Sequence, residues 1–347
     1  MEDIDILKIL TKYNPWWAGS SIPKSQLLEF KRNFFYTLIN EFDTGKITSI
    51  LGPRRVGKTV LLHQLIKQLI DNGVPSTHII YVSLDRNELK INKIGINEIL
   101  ETYYKLVLKK PLEPDGDKVY VFLDEIQEIE DWHKILKNLW DLKYNIKFFV
   151  SGSSSMALST GAMESLLGRI SPHIILSFKF YEILKYNKVI NRLPLIPLRK
   201  SFMESMVKGD PKILYESFND LLSFVIPKKD EIEILLNRHF VVGGYPEFLN
   251  SKEEDYQQIS KDIQEKLRFT FYQDIVSFFK VRNAGVLDDL FSMIASSSGT
   301  KMNVAKTAHD LDIHRPTLKV YLKHFCDIFL VSQAEFFSRS RRNRSRK

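Results

Sequence analysis

Cysteine is almost missing from this chain: its 347 residues include one, Cys326. A lone thiol excludes a disulfide-stapled scaffold and a cysteine-rich zinc site, and it fits a reducing compartment. Glycine (15) and proline (13) are too scarce for a collagen-like repeat or a low-complexity chain. No stretch approaches 18 uninterrupted apolar residues, so no membrane span is expected. The opening Met-Glu-Asp-Ile-Asp lacks the basic-then-apolar order of a secretory signal. A soluble, cytoplasmic protein is the expectation.

What is present is ordinary in kind and uneven in placement. With 44% hydrophobic and 27% charged residues the chain can bury a core, and its length suits about two or three domains. The formal net charge is +8, but residues 338–347 hold six cations and no acid, which leaves +2 on residues 1–337. A basic run of this kind marks a nucleic-acid contact or a disordered tail.

Residues 1–25 are polar and aromatic, with Asn14-Pro15-Trp16-Trp17 and little clear periodicity. The two tryptophans suit packing on a sheet edge or stacking on a base. Helical spacing runs from Leu27 to Phe42, and short apolar runs then alternate with helical segments. Strands are predicted over 47–51, 78–84, 119–123, 146–150 and 173–176, and helices over 59–69, 96–108 and 132–142. Such alternation predicts an α/β fold with a parallel sheet covered by helices on both faces. After Tyr181 the strand signals stop. The expected organisation is an N-terminal segment (1–25), an α/β domain (26–180), a helical, lid-like region (181–285), a small helical domain (286–337) and the basic tail (338–347). Gly243-Gly244-Tyr245-Pro246 reads as a turn in the helical region, or as a hinge. Phe271-Tyr272-Gln273-Asp274 reads mainly as core aromatics.

Gly52-Pro53-Arg54-Arg55-Val56-Gly57-Lys58-Thr59 satisfies G-x-x-x-x-G-K-[ST] between a predicted strand and a predicted helix. A phosphate chain needs inward-pointing backbone N–H groups, glycines that let the backbone approach, and a cation; Lys58 supplies the last. The helix N-terminus adds partial positive charge. Gly52, Pro53, Arg54, Arg55, Val56, Gly57, Lys58, Thr59 and Val60 are therefore the expected nucleotide-binding residues. The apolar run Val119–Leu123 ends in Asp124-Glu125, 66 residues after Lys58. Thr59 and Asp124 are expected to hold Mg²⁺, and Glu125 to polarise an attacking water. The second acid argues for hydrolysis over transfer to a small molecule. Ser151 or Ser153, at the tip of the next strand, is placed to meet the γ-phosphate or the water, and Ser153 is the catalytic candidate.

These motifs, followed by Leu167-Gly168-Arg169 and Gly243-Gly244-Tyr245-Pro246, resemble the archaeal and bacterial AAA-superfamily ATPases that join an ATPase core to a helical segment and a winged helix. The resemblance covers residues 14–337 and rests on five motifs in order. It implies an ASCE P-loop core with a five-stranded parallel sheet, and ATP as the nucleotide. It also makes Arg169 a candidate finger or sensor, with a structural arginine at a helix end as the alternative. Arg54 and Arg55 flank the phosphates and add positive potential. Proteins of this kind usually continue past the winged helix into another, often nuclease-like, domain; the sequence here runs into the basic tail, so no nuclease activity is expected.

At the C-terminal end, helices are predicted over 286–296, 304–311 and 317–329 and a strand over 330–337, the order of a winged helix. Leu318, Tyr321, Leu322 and Phe325 are expected to face its core. Arg315, Thr317, Lys319 and Lys323 are left on the surface, where cations meet phosphates or base edges. The reading is an Mg²⁺-dependent ATP-hydrolysing switch or motor acting on DNA, with a homo-oligomer or a protein partner as further expectations. The alternative is a nucleotide-controlled regulatory switch that binds protein partners and uses the winged helix structurally.

Overall fold

The structure, a computed structural model, describes residues 2–19, 21–114, 116–152, 165–190, 195–270, 275 and 283–334. They fall into two compact units: residues 1–29, 34–176 and 265–347 in one, and 30–33 with 177–264 in the other.

The first unit is built on five parallel strands: β1 (Ile47–Leu51), β2 (Ile79–Ser83), β3 (Val119–Asp124), β4 (Ile146–Gly152) and β5 (Ile170–Ile174), in spatial order β2-β3-β4-β1-β5. β1, β2 and β3 are buried along their whole length, which is why they read as unbroken apolar runs rather than as alternation. β5 alternates instead and carries Pro172, which an edge strand tolerates because one side needs no donor. β5 starts three residues before the predicted strand: Ile170 pairs with Ile47 and Ile174 with Leu51.

Alternate side chains of the sheet serve two separate cores. Ile47, Leu51, Ile80, Val82, Val121, Leu123 and Val150 pack with helices α1 (Asp3–Tyr13), α5 (Ile96–Tyr103) and α6 (Trp132–Asp141). Ile50, Tyr81, Tyr120, Phe122 and Phe149 face α2 (Asn33–Ile39) and α3 (Lys58–Asp71). The short α4 (Asn87–Ile91) lies between β2 and α5 in sequence. The long helix predicted over 27–42 contracts to α2, and the one over 96–108 is α5 followed by a π-turn, Tyr104–Leu108.

The N-terminal segment differs from the sequence reading, because it contains α1. Ile6 and Leu10, four residues apart, are buried in the sheet core and Ile9 packs against it, with Asp3 and Asp5 favourably placed in the first turn. Asn14 follows, fully buried. It accepts from the Tyr81 backbone N–H (2.7 Å) and donates to the Tyr81 carbonyl (2.9 Å) on β2. The Trp16 and Trp17 indole N–H groups both donate to the Ile79 carbonyl, at 3.0 and 2.8 Å. Of the two roles open to these tryptophans, packing at the sheet edge is the one observed.

The same unit contains three C-terminal helices, α12 (Ala284–Ser296), α13 (Val304–Asp310) and α14 (Arg315–Asp327), numbered after the five helices of the second unit. Leu287, Leu290, Leu318 and Phe325 are fully buried in their core, and Tyr321 and Leu322 pack against it. The strand expected over 330–337 is not formed in its described part, 330–334. Phe329 takes φ +61°, and the Leu330 and Val331 N–H groups both return to the Phe325 carbonyl. Those donors close the end of α14 and are not available to a ladder.

The second unit is helical: α7 (Phe180–Tyr186), α8 (Leu195–Lys208), α9 (Pro211–Val225), α10 (Lys229–Val242) and α11 (Tyr256–Thr270). A buried bidentate pair ties its two chain segments together. Arg32 Nε and Nη2 donate to the Glu182 carboxylate at 3.0 and 2.7 Å, and the guanidinium lies 4.3 Å from the centre of the Phe178 ring. Gly243 ends α10 at φ +66°, and Gly244 brings the chain against Phe178, whose N–H donates to the Gly244 carbonyl (2.7 Å). A Cβ on Gly244 would sit 2.2 Å from the Phe178 carbonyl oxygen. The Gly-Gly-Tyr-Pro segment is therefore a turn fixed by close backbone packing.

Candidate nucleotide and metal site

β4 lies between β1 and β3, so the loop after β1 and the carboxylates after β3 come to either side of the β4 tip. Crevices at the carboxyl ends of parallel strands, where strand order reverses, are the usual ligand sites of such sheets.

Gly52–Gly57 links β1 to α3. Gly52 is required by space: a Cβ there would lie 1.9 Å from the Ile175 carbonyl oxygen. Gly57 and Arg55 take φ +95° and +65°, left-handed turns that curl the loop around the N-terminus of α3. Lys58 is 5% exposed, and its Nζ donates to the carbonyls of Gly52 (3.0 Å) and Pro53 (2.9 Å) across the loop. Arg55 is exposed, Pro53 and Arg54 half-buried, and Val56 fully buried as the loop's anchor. Val60, half-buried, sits in the first turn of α3.

Asp124, 2% exposed, closes the other wall. Its Oδ2 accepts from Thr59 Oγ1 (2.6 Å) and from the Tyr81 hydroxyl (3.0 Å), and its Oδ1 accepts from Ser151 Oγ. Ser151 Oγ in turn accepts from the Glu125 backbone N–H (3.3 Å). Glu125 is half-buried at φ +54°, with Gln127 Nε2 donating to its carboxylate. Burial pushes the Glu125 carboxyl above the usual range, and the Lys58 charge and the Gln127 hydrogen bond oppose that only in part. His63, on α3, meets the Thr59 carbonyl through Nδ1 (2.9 Å) and lies 4.6 Å from the Tyr81 ring; burial keeps its pKa low.

The residues fit the groups the motif implies. A loop curled around a helix N-terminus, with a lysine reaching across it, suits a phosphate chain. A hydroxyl and a carboxylate 2.6 Å apart offer the hard oxygen donors that Mg²⁺ takes together with substrate phosphates. A carboxyl with a raised pKa beside them suits a general base.

Not every candidate reaches this crevice. Arg169 does not: its carbonyl accepts from the Ile47 N–H at the start of β1, five residues and roughly 16 Å of strand before the loop. There it pairs with Asp141 (2.9 Å) and lies over the Trp140 ring. Position after the fourth strand does not say which end of β5 the residue occupies. Ser153 lies outside the described residues, as do residues 271–274 and the basic tail. Arg315, Lys319 and Lys323 are exposed and Thr317 half-buried on α14; the three cations recur every four residues and so line one face. Sequence reasoning missed Asn14, His63 and Tyr81. The available signal was the phenol of Tyr81, a polar head in an otherwise apolar strand that needs a partner when buried.

Known proteins agree with the α/β part of this description. Residues 44–184 match the family model of an AAA domain, and residues 233–347 match a domain of unknown function (DUF8612). The matched α/β segment is similar to an AAA-type P-loop domain. The chain is 29% identical over 300 residues to the uncharacterized protein MJ1544 of Methanocaldococcus jannaschii, covering 85% of this chain and 57% of that protein. It is 24% identical over 305 residues to an uncharacterized protein of Haemophilus influenzae, covering 88% and 65%. The chain thus spans less than two thirds of the length of these curated relatives. Among solved structures it is similar to the Walker-type ATPase PABY2304 of Pyrococcus abyssi (TM-score 0.41, 16% identity, 86% of this chain and 89% of that one). It is also similar to the Aeropyrum pernix ORC1 protein in complex with DNA (TM-score 0.32, 12% identity, 90% and 85%). At these scores neither likeness bears on function. Among the described residues no helix is long and apolar enough to cross a membrane.

Proposed function

We propose that the chain is an Mg²⁺-dependent ATPase whose C-terminal helices engage DNA. The observation that carries the reading is the convergence of Lys58, Thr59 and Asp124 across one crevice with Glu125 beside them. Gly52–Thr59 would bind the triphosphate, with Lys58 turning from the loop carbonyls to the β/γ-phosphates. Mg²⁺, held by Thr59 and Asp124, would neutralise phosphate charge. Glu125 would take a proton from the attacking water as the bond from the γ-phosphorus to its bridging oxygen breaks, leaving ADP and phosphate. The stripe Arg315-Lys319-Lys323 on α14, with the basic tail, would meet the DNA backbone.

The test is the ATPase rate with and without duplex DNA at two salt concentrations. Stimulation that fades steeply with salt supports the reading, because phosphate contacts release counterions. Lys58→Ala should lose nucleotide binding, while Glu125→Gln should keep ATP bound and unhydrolysed; binding retained by Lys58→Ala would remove the site assignment. A second reading, a regulatory switch with structural C-terminal helices, is favoured by Phe329, which follows α14 and packs against the sheet core. It predicts no DNA stimulation and self-association on ATP.

A further inference from the structure

The carboxylate that carries the metal reading is held by a residue outside the loop and the acidic motif. Asp124 Oδ2 has two donors, Thr59 Oγ1 at 2.6 Å and the Tyr81 hydroxyl at 3.0 Å. They differ in kind. Thr59 closes the nucleotide motif in the first turn of α3 and is 65 residues from Asp124 along the chain, and its oxygen is wanted by the metal. Tyr81 stands on β2, whose register with β3 sets Ser83 beside Asp124, and its oxygen has no metal to serve.

Tyr81 is also fixed at every other point. The Asn14 side chain holds its backbone N–H and carbonyl at 2.7 and 2.9 Å. The His63 ring lies 4.6 Å from its own ring, and His63 Nδ1 meets the Thr59 carbonyl. The residue is 3% exposed. An aromatic ring clamped on three sides, with its one polar atom delivered to a buried carboxylate, presents that hydrogen bond in a fixed direction.

We propose that Tyr81 is a positioning residue that orients the Asp124 carboxylate for Mg²⁺, with Asn14 setting the place of the strand that carries it. The inference rests on the nucleotide and metal reading of the site. Outer partners that orient metal-binding carboxylates are typically worth a factor of about 10–100 in metal affinity or activity. Asp124 keeps Thr59 and Ser151 when Tyr81 is changed, so the lower end applies.

The experiment titrates Mg²⁺ into the full chain with N-methylanthraniloyl-ATP as the fluorescent probe. In EDTA, Tyr81→Phe should bind the probe as the wild type does, because the loop and Lys58 are untouched. With Mg²⁺, the concentration giving half of the metal-dependent gain should rise about 10-fold. In an Asp124→Asn background the same change should have no further effect, since Tyr81 acts through that carboxylate; a merely structural role would shift both backgrounds alike. Asn14→Ser, which loosens β2 without touching Asp124, is the second variant and should move the Mg²⁺ requirement the same way by a smaller factor. An unchanged Mg²⁺ requirement in both variants, or a shift that persists with Asp124→Asn, overturns the proposal alone. A wild-type chain whose probe binding ignores Mg²⁺ overturns the metal reading and this proposal with it.

Discussion

Replacing Gly52 by alanine adds one methyl group at the most crowded point of the nucleotide loop. The new Cβ would start 1.9 Å from the Ile175 carbonyl oxygen, 3.0 Å from its carbon and 3.2 Å from Ile175 Cγ2. Ordinary contact begins near 3.4 Å, so the loop or the end of β5 must retreat by about 1.5 Å. Neither yields easily. The Ile175 N–H donates to the Leu51 carbonyl at 2.7 Å, and the Ile175 side chain is 1% exposed in the same core as Val56. Overpacking of this kind costs about 1–3 kcal/mol of stability. The functional cost is larger, because a cradle displaced by that distance loses one or two hydrogen bonds to charged phosphate oxygens, each worth about 1.5–3 kcal/mol. Gly52→Ala should therefore bind ATP roughly 10- to 25,000-fold more weakly while remaining folded. Calorimetric titration of ATP, paired with urea unfolding, separates the two effects. Gly45→Ala, whose Cβ meets nothing within 4 Å, is the control and should be neutral. Wild-type affinity and stability in Gly52→Ala would refute the claim that backbone proximity to Ile175 shapes the site.

Three further outcomes follow from other parts of the molecule. Glu182→Ala removes the carboxylate partner of the buried Arg32 guanidinium (side chains 10% and 6% exposed) and should cost about 3–5 kcal/mol in denaturant unfolding, whereas Arg32→Met with Glu182→Leu should recover most of it. Arg169→Ala removes a half-exposed pair at the far end of the sheet, so it should cost no more than about 1 kcal/mol and leave ATP affinity unchanged; a clear loss of affinity would show that the arginine reaches the site. Lys147 is buried and donates to Thr44, Lys46 and Thr48, and burial pulls its pKa down to about 8. Its folded value thus lies below the unfolded one, near 10.5. The unfolded chain holds the extra proton between those values, and the wild type should gain on the order of 1–3 kcal/mol of stability as pH rises from about 8 to 10.5. Lys147→Met should abolish that gain, as unfolding midpoints across the range would show.

The parts of this molecule that were legible in sequence are those written locally. The loop needs its glycines, lysine and threonine at fixed spacing, and β1 to β4 are short apolar runs ending at turns, so position and chemistry could be read together. Asp124-Glu125 followed from the same logic, as an acidic pair at a strand end. What escaped was set by contacts distant in sequence. Asn14 meets Tyr81 across 67 residues, and nothing around either residue announces the other. In α1 the aliphatic residues Ile4, Ile6, Leu7, Ile9 and Leu10 are so closely set that alternation and helical spacing overlap, and neither pattern stands out. Arg169 was placed in the right stretch of chain, but the β1–β5 register that puts it at the far end of the sheet is a pairing between strands. At Leu330, strand-like composition lost to hydrogen bonds that close a helix.

The side chains of Asn14, Trp16 and Trp17 have a consequence beyond local order. β2 is the outermost strand on its side of the sheet, with residues Ile79–Ser83 buried throughout. A bare strand of that composition is a template on which other chains can add strands, the usual start of edge-to-edge aggregation. The Asn14 amide and the two indoles occupy the Tyr81 and Ile79 backbone groups that such an addition would use, and the opposite border carries Pro172, which has no N–H to offer. A version of the chain lacking residues 1–17 should accordingly betray itself first by insolubility, visible as concentration-dependent light scattering.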